Sequence, residues 1–99
     1  MRVQVIFFGL IRRYTSDKQA TVELPEGSTV GDLIRALTEK HGAEFSEHLI
    51  NPDGSLKSEV FITVDGLNIA SGSGLDTALT PEAESHIVLV GPVVTGGQI

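Results

Sequence analysis

The 99-residue chain has no cysteine and no tryptophan, with one methionine and one tyrosine. Without thiols there is no disulfide, no thiolate metal site and no cysteine nucleophile. That absence agrees with a reducing compartment, and the cytoplasm is the expected location. No apolar run approaches the roughly 20 residues of a membrane-spanning helix. The first residues do not read as a cleavable secretion signal. Positive charge is scarce too: seven Lys and Arg face thirteen Asp and Glu, a formal charge of −6 at pH 7. Nucleic-acid affinity leans on Lys and Arg at the phosphates, so neither nucleic acid nor a membrane is an expected partner. The balance suits solubility and a partner with a basic docking surface.

What is present describes one globular unit. Hydrophobic residues make up 40% and charged residues 20% of the chain, enough for a single core without a second domain. A domain of this size buries only about 60–65% of its unfolded surface. It has little depth for an enclosed multi-residue active site, so a carrier or binding role is favoured.

Hydrophobic periodicity supplies the elements. In Arg2–Phe8, Val3, Val5 and Phe7 share one face, and Gln4, Ile6 and Phe8 the other, which predicts a central strand. Gly9 to Lys18 reads as a polar, basic connection. Gln19 to Leu24 alternates again and predicts an antiparallel partner. After Pro25-Glu26-Gly27, Thr29 and Asp32 form a capping-box-like start. Val30, Leu33, Ile34 and Leu37 then follow at helical spacing, and Gly42 supplies a stop. Phe45 and Leu49 suit a short helical turn before the Asn51-Pro52-Asp53-Gly54 turn cluster. Val60, Ile62 and Val64 alternate against Phe61 and Thr63. Asp65-Gly66 marks a tight turn into a short returning strand from Leu67 to Ala70. Ser71 to Gly74 reads as loop, Leu75, Ala78 and Leu79 as a further helical turn, and Ile87 to Val90 as the last strand. The expected fold is α+β: a mixed four- or five-stranded sheet on one main helix, with the first and last strands parallel at its centre.

Several polar features do not add up to a site. His41, His48 and His86 lack zinc-ligand spacing, and no metal is expected. Glu44, Glu47, Glu59, Glu82 and Glu84 fit a solvated acidic surface. Ser71-Gly72-Ser73-Gly74 lacks the lysine and strand-to-helix setting of a phosphate loop. Arg12, Arg13 and Lys18 form the one local basic excess, suited to a solvated hairpin loop, to an acidic protein partner or to a bound anion. Tyr14 beside two arginines is no nucleic-acid platform.

The end of the chain, Gly91-Pro92-Val93-Val94-Thr95-Gly96-Gly97-Gln98-Ile99, has a different character. Pro92 lacks an N–H for a strand ladder. Gly96 and Gly97 carry no side chains and can thread a narrow cleft. Residues 1–91 are therefore expected to form the domain, and 92–99 a flexible tail containing the diglycine.

The segments Val5-Ile6-Phe7-Phe8-Gly9, Glu23-Leu24-Pro25-Glu26-Gly27-Ser28-Thr29-Val30-Gly31-Asp32-Leu33, Val64-Asp65-Gly66 and Gly74-Leu75-Asp76-Thr77-Ala78-Leu79 carry a resemblance that extends through Pro92-Val93-Val94-Thr95-Gly96-Gly97. In this order they resemble the ubiquitin-like sulfur carriers, closest in general pattern to the small subunit of molybdopterin synthase and the thiamine and cysteine carriers. The resemblance implies a β-grasp fold. It implies a carrier or small subunit of a sulfur-transfer enzyme, not a catalyst alone, acting in molybdenum cofactor biosynthesis. The terminal glycine carboxylate, here Gly97, would be activated with ATP by an adenylating, E1-like enzyme and converted to a thiocarboxylate by a sulfur donor. No cofactor would be bound intrinsically. Partners would include the molybdopterin synthase large subunit and a tail-trimming protease.

This chain departs from the family pattern twice. Gln98 and Ile99 follow the second glycine, so the Gly97 carbonyl is a peptide until they are removed. The usual Pro-Pro entry to the tail reads Gly91-Pro92. Alternative outcomes are sulfur delivery to thiamine, cysteine or tRNA pathways, joining to a substrate lysine as a modifier, or a noncatalytic adaptor. The expected partner surface is Ile6, Phe8 and Phe61 on the uncovered sheet face, with Pro92, Val93, Val94, Thr95 and Gly96 entering the partner. Either Ile87 and Leu89 or Val88 and Val90 would join that face.

Overall fold

A computed structural model of the chain describes residues 1–9, 11–15, 18–80 and 84–89, the last six by backbone course and pairing. Strand β1 (Arg2–Gly9) buries Val3, Val5 and Phe7 and exposes Arg2, Gln4 and Phe8. This is the two-residue period of its sequence made physical. Strand β2 (Gln19–Glu23) runs antiparallel to it, with Val22 opposite Val3 and Ala20 opposite Val5. Strands β3 (Val60–Val64), β4 (Leu67–Asn68) and β5 (Glu84–Leu89) complete one mixed sheet in the order β2-β1-β5-β3-β4. The final strand β5 is central, parallel to β1 and antiparallel to β3. The sheet has five strands, and its topology is the β-grasp.

Among the described residues three α-helices lie between the strands: α1 (Arg12–Thr15), α2 (Val30–His41) and α3 (Ala43–Glu47). The α2 start is the expected capping box. The Thr29 backbone N–H donates to Asp32 Oδ2 at 2.9 Å, and the Asp32 backbone N–H donates to Thr29 Oγ1 at 3.3 Å. Each side chain thus satisfies a donor that the helix end leaves unpaired. The helix stops at Gly42, whose φ of 100° suits a residue without a Cβ. Val30, Leu33, Ile34 and Leu37 form the buried stripe of α2, meeting Val3, Val5, Phe7, Ile62 and Val60 in the core. Phe45 and Leu49 are fully buried and close the same core from α3 and the turn after it.

The segment from Ser73 to Leu79 fastens the helix start. Val30 N–H donates to Thr77 O at 3.0 Å, and Leu79 N–H donates to Ser28 O at 2.9 Å. At Gly31 a Cβ would stand 3.4 Å from the Leu75 carbonyl oxygen, so a small residue lets this segment approach α2.

Local expectations differ from the structure in several places. The Gly9–Lys18 connection carries α1, with Ile11 fully buried and Thr15 almost so. Its polar composition hides an Ile11, Tyr14, Thr15 spacing that turns one side inward. Only Leu67 and Asn68 pair as the returning strand. Asn68 Oδ1 then accepts from Ala70 N–H at 2.9 Å and starts a 3₁₀ turn, Ile69–Ser71, which drops Ile69 into the core. Ser71 therefore lies in a turn, not a free loop. A second 3₁₀ turn, Gly74–Asp76, replaces the helical turn expected around Leu75, Ala78 and Leu79. Ala78 instead bridges Thr29 and is exposed, while Leu79 is buried. Strand β5 begins at Glu84, three residues before its apolar run. The 91/92 domain boundary lies outside the described residues.

The capping box gives the fold an acid-sensitive element. Asp32 is held below the usual carboxylate range, first by the Thr29 backbone N–H. A carboxyl depressed in the folded state stabilises above its unfolded pKa, and that contribution is lost as pH falls through the folded value. Asp32→Asn should therefore be less stable than the parent at neutral pH and should lose less stability on acidification, measured by urea unfolding across the range. Thr29→Ala should cost about 1 kcal/mol at neutral pH.

Candidate functional site

The sheet has one covered and one open face, and the register fixes what the open face carries. Phe8 of β1 and Phe61 of β3 both stand opposite Val88 of the central strand. Both phenylalanines are 44% exposed. Their neighbours in sequence, Phe7 and Ile62, are buried at 1% and 0%, so the helix side and the open side are sharply separated. Ile6, two residues before Phe8, is half-buried and pairs with Gln19 on one side and His86 on the other. Ile6, Phe8 and Phe61 therefore share one face as the alternation implied. Of the two alternatives for the last strand, the ladder puts Val88 in the row of Phe8 and Phe61.

Farther along the same face the sheet turns polar. Thr21 donates to Gln4 Oε1 at 3.2 Å, and Arg2 Nε donates to Glu23 Oε2 at 2.9 Å. The Arg2 hydrogen bond is the main reason the Glu23 carboxyl lies below its ordinary range. Both side chains are about two-thirds exposed, so the pair adds little to stability. The apolar region thus lies at the end of the sheet where β1 and β5 finish. Strand β5 ends at Leu89, opposite both Gly9 and Val60, and the chain continues from there. Pro92, Val93, Val94, Thr95, Gly96 and Gly97 lie outside the described residues.

The same end carries α1. Its Tyr14 ring stacks on His48, with centroids 4.2 Å apart and planes 25° from parallel. His48 Nδ1 lies 2.7 Å from the Glu44 carbonyl, which only accepts, so Nδ1 carries a proton. In the neutral ring Nε2 then accepts from the Tyr14 hydroxyl at 3.0 Å. Periodicity did not reveal this pairing, because 34 residues separate the partners. His41 ends α2, with its ring centroid 5.6 Å from Phe45 and 6.2 Å from Phe7.

Among the described residues no cluster of three His, Cys, Asp or Glu can hold a metal ion. No described helix is long and apolar enough to cross a membrane. A groove of about 410 Å³ lies on the helix side, between α2 and the Leu75 turn, with Ile34, Thr38 and Ile50 in its lining. Arg35 and Glu39 at this groove do not form an acid–base constellation around a reacting position.

A β-grasp domain with an aromatic open face beside the end of its central strand has the form of a ubiquitin-like carrier. The chain belongs to the ThiS family, whose model matches residues 5–97. It is therefore a member of the ubiquitin-like sulfur-carrier superfamily. Small archaeal modifier protein 3 of Haloferax volcanii is 29% identical over 97 residues, covering 98% of this chain and all of the relative. The crystal structure of small archaeal modifier protein 1 from Haloferax volcanii shares the fold with a TM-score of 0.80 at 20% identity, covering 97% of this chain and 100% of that one. A Pyrococcus furiosus structure described as a molybdopterin converting factor, subunit 1, superposes with a TM-score of 0.71 at 25% identity, covering 90% and 97%. Family members are small carrier proteins rather than catalysts, and they typically work with E1-like activating enzymes and sulfur donors.

The two sheet faces should respond oppositely to charge. Phe61→Asp should keep a cooperative thermal transition near that of the parent, whereas Ile62→Asp places an unpaired carboxylate in the core and should abolish the transition. Circular dichroism melts distinguish the two. Equal loss of folding in both variants would contradict the open-face assignment.

Proposed function

We propose that the chain is a carrier activated at Gly97, used as a ubiquitin-like protein modifier and able to hold sulfur as a thiocarboxylate. The observation that carries this reading is the family match running through residue 97, on a fold whose last strand leads from the sheet centre into Gly96-Gly97. Residues 92–99 act as the tail in this reading, and residues 1–91 as the body that a partner grips. Ile6, Phe8 and Phe61 form the docking face, while Pro92, Val93, Val94, Thr95 and Gly96 enter the activating enzyme. Buried aromatic anchors concentrate binding energy, and the exposure of both phenylalanines supports that role.

The chemistry follows in balanced steps. Water first cleaves the Gly97–Gln98 peptide, releasing the Gln98-Ile99 dipeptide and leaving a Gly97 carboxylate. That carboxylate attacks the α-phosphorus of ATP, expelling pyrophosphate and forming an acyl adenylate. A substrate lysine amine can then displace AMP, losing a proton and forming an isopeptide bond. A donor's sulfide-level sulfur can displace AMP at the same carbon to give the thiocarboxylate. The carrier contributes only the carboxyl group, while its partner supplies the donors that stabilise developing charge.

The full-length likeness to small archaeal modifier protein 3 favours conjugation as the outcome. The likeness to molybdopterin converting factor, subunit 1, supports a second reading as the molybdopterin synthase small subunit, delivering sulfur to the large subunit. Delivery to thiamine, cysteine or tRNA uses the same activated end.

Intact-mass and terminal-peptide spectrometry of the protein recovered from native cells tests the activation. Loss of Gln98-Ile99 is expected, together with branched Gly97–lysine peptides. A thiocarboxylate without branched peptides would favour the second reading. Retention of Gln98-Ile99 on all of the protein would overturn both. Phe61→Asp should weaken binding to the activating enzyme by roughly tenfold or more, as loss of a central aromatic anchor does, measured by titration calorimetry with the trimmed chain.

A further inference from the structure

The basic excess at Arg12, Arg13 and Lys18 has no role in the activation chemistry just described. It also stands out against a chain of net charge −6. Sequence alone places these residues in a solvated connection, but the fold gives them a fixed platform. Arg12 and Arg13 are exposed on α1, whose inner side is held by Ile11 and Thr15 in the core. The Tyr14–His48 stack and hydrogen bond tie the same turn to the residue after α3. Lys18 lies across the connection, its carbonyl accepting from Phe7 N–H at 2.9 Å. Among the described residues, none of these three cationic side chains has a hydrogen-bond or ion-pair partner, nor do Lys40 and Lys57, whereas Arg2 and Arg35 pair with Glu23 and Asp32.

Their position is as informative as their charge. Helix α1 follows Gly9, and Gly9 is the β1 residue opposite Leu89, the last residue of β5. Arg12 and Arg13 therefore follow within four residues of the β1 end that pairs with Leu89, while Lys18, opposite Phe7, lies on the β2 side of β1. Eight peptide steps separate Leu89 from Gly97, a reach of at most about 29 Å. A tail threaded in extended form into a cleft, as the carrier reading has it, would hold the reacting carboxyl up to several Debye lengths from these cations at physiological salt. Their effect falls on encounter and docking, not on bond formation.

We propose that Arg12, Arg13 and Lys18 form a cationic docking contact for an acidic rim beside the tail-receiving cleft of the activating enzyme. The proposal rests on the carrier reading above and names the partner chemistry that reading leaves open. An acidic rim repels most of this acidic carrier and attracts the α1 end, so the contact sets orientation as well as affinity. Tyr14 acts as a positioning residue: its hydroxyl on His48 keeps the two arginines on an ordered turn.

The test uses the chain ending at Gly97, the recombinant adenylating enzyme of the same organism, and ATP–pyrophosphate exchange. The double variant Arg12→Glu, Arg13→Glu should raise KM for the carrier roughly tenfold, equivalent to about 1.4 kcal/mol, with kcat unchanged. Raising salt from about 50 to about 300 mM should increase KM for the parent but not for the double variant. Tyr14→Phe should raise KM less and leave kcat unchanged. Arg35→Glu, which changes net charge as much as either single reversal, should leave KM near the parent value. Normal exchange by the double variant with unchanged KM and salt dependence would overturn the docking contact and leave the carrier reading standing. An equal KM rise in Arg35→Glu would overturn it in favour of a net-charge effect. A gel shift with tRNA that the double variant abolishes, alongside unchanged KM, would assign the cations to nucleic acid instead. Absence of exchange by the parent chain would overturn the carrier reading and this contact with it.

Discussion

Insertion of β5 between β1 and β3 is the constraint on which the rest of the molecule depends. A strand at the sheet centre must satisfy a ladder on each side, and here the two ladders have opposite sense. Parallel pairing with β1 requires the chain to cross from one end of the sheet to the other. Strand β2 makes that return, ending at Glu23 opposite Arg2, and the long segment between β2 and β5 leaves from and comes back to the same end while supplying α2, α3, β3 and β4. The last strand of the domain is consequently held on both edges, and the chain leaves it beside Gly9 and Val60. A pull or a docking force applied beyond Leu89 acts on a strand paired along both edges, not on an edge strand.

The two faces divide the work between stability and recognition. Phe7, Ile62, Leu33, Leu37, Phe45 and Leu49 are all essentially inaccessible, and burying side chains of that size contributes about 1.5–3 kcal/mol each. Phe8 and Phe61 contribute less to folding because almost half of each remains in water. Apolar surface left exposed on a small acidic domain is costly for solubility and informative about binding. Phe8 and Phe61 lie at the end where β1 and β5 finish, with the Arg2–Glu23 pair farther along, which gives the open face a direction as well as a polarity; Leu67 on β4, 75% exposed, is a separate apolar side chain toward the other end of the sheet.

Much of this was legible in the chain because it follows local periodicity. Alternation in Val3-Gln4-Val5-Ile6-Phe7-Phe8 and Val60-Phe61-Ile62-Thr63-Val64 separated the two faces correctly. Thr29 and Asp32 announced the helix start through chemistry that needs only three residues of separation. What escaped is tertiary. The α1 turn is short and polar, and its order comes from Ile11 in the core and from His48, far along the sequence. The 3₁₀ turns at Ile69–Ser71 and Gly74–Asp76 replace a longer strand and a helical turn. There, Asn68 capping and the pairing of Leu79 with Ser28 outweigh weak local propensity. The expectation at Gly97 is of a different kind, resting on motif resemblance and not on any force acting within the fold.

A carrier of this kind separates the reacting atom from the machinery that folds it, and this has a physical consequence. In the proposed carrier reading the domain need supply no acid, base or oxyanion donor at Gly97, and the reactivity of its carboxyl would be set by whatever cleft receives it. The domain can then influence the reaction only through how often, and in which orientation, the end arrives. In the proposed reading, substitutions on the open face or on α1 would act through docking, whereas substitutions at Gly96 or Gly97 would act on the reacting end itself. Core substitutions act on both by removing the platform. The same separation allows one folded body to serve more than one acceptor, because a lysine amine and a sulfur nucleophile meet the same activated carbonyl. Selection between them belongs to the surfaces that bring each partner to the end of β5, and Phe8, Phe61, Arg12 and Arg13 are the side chains this fold places there.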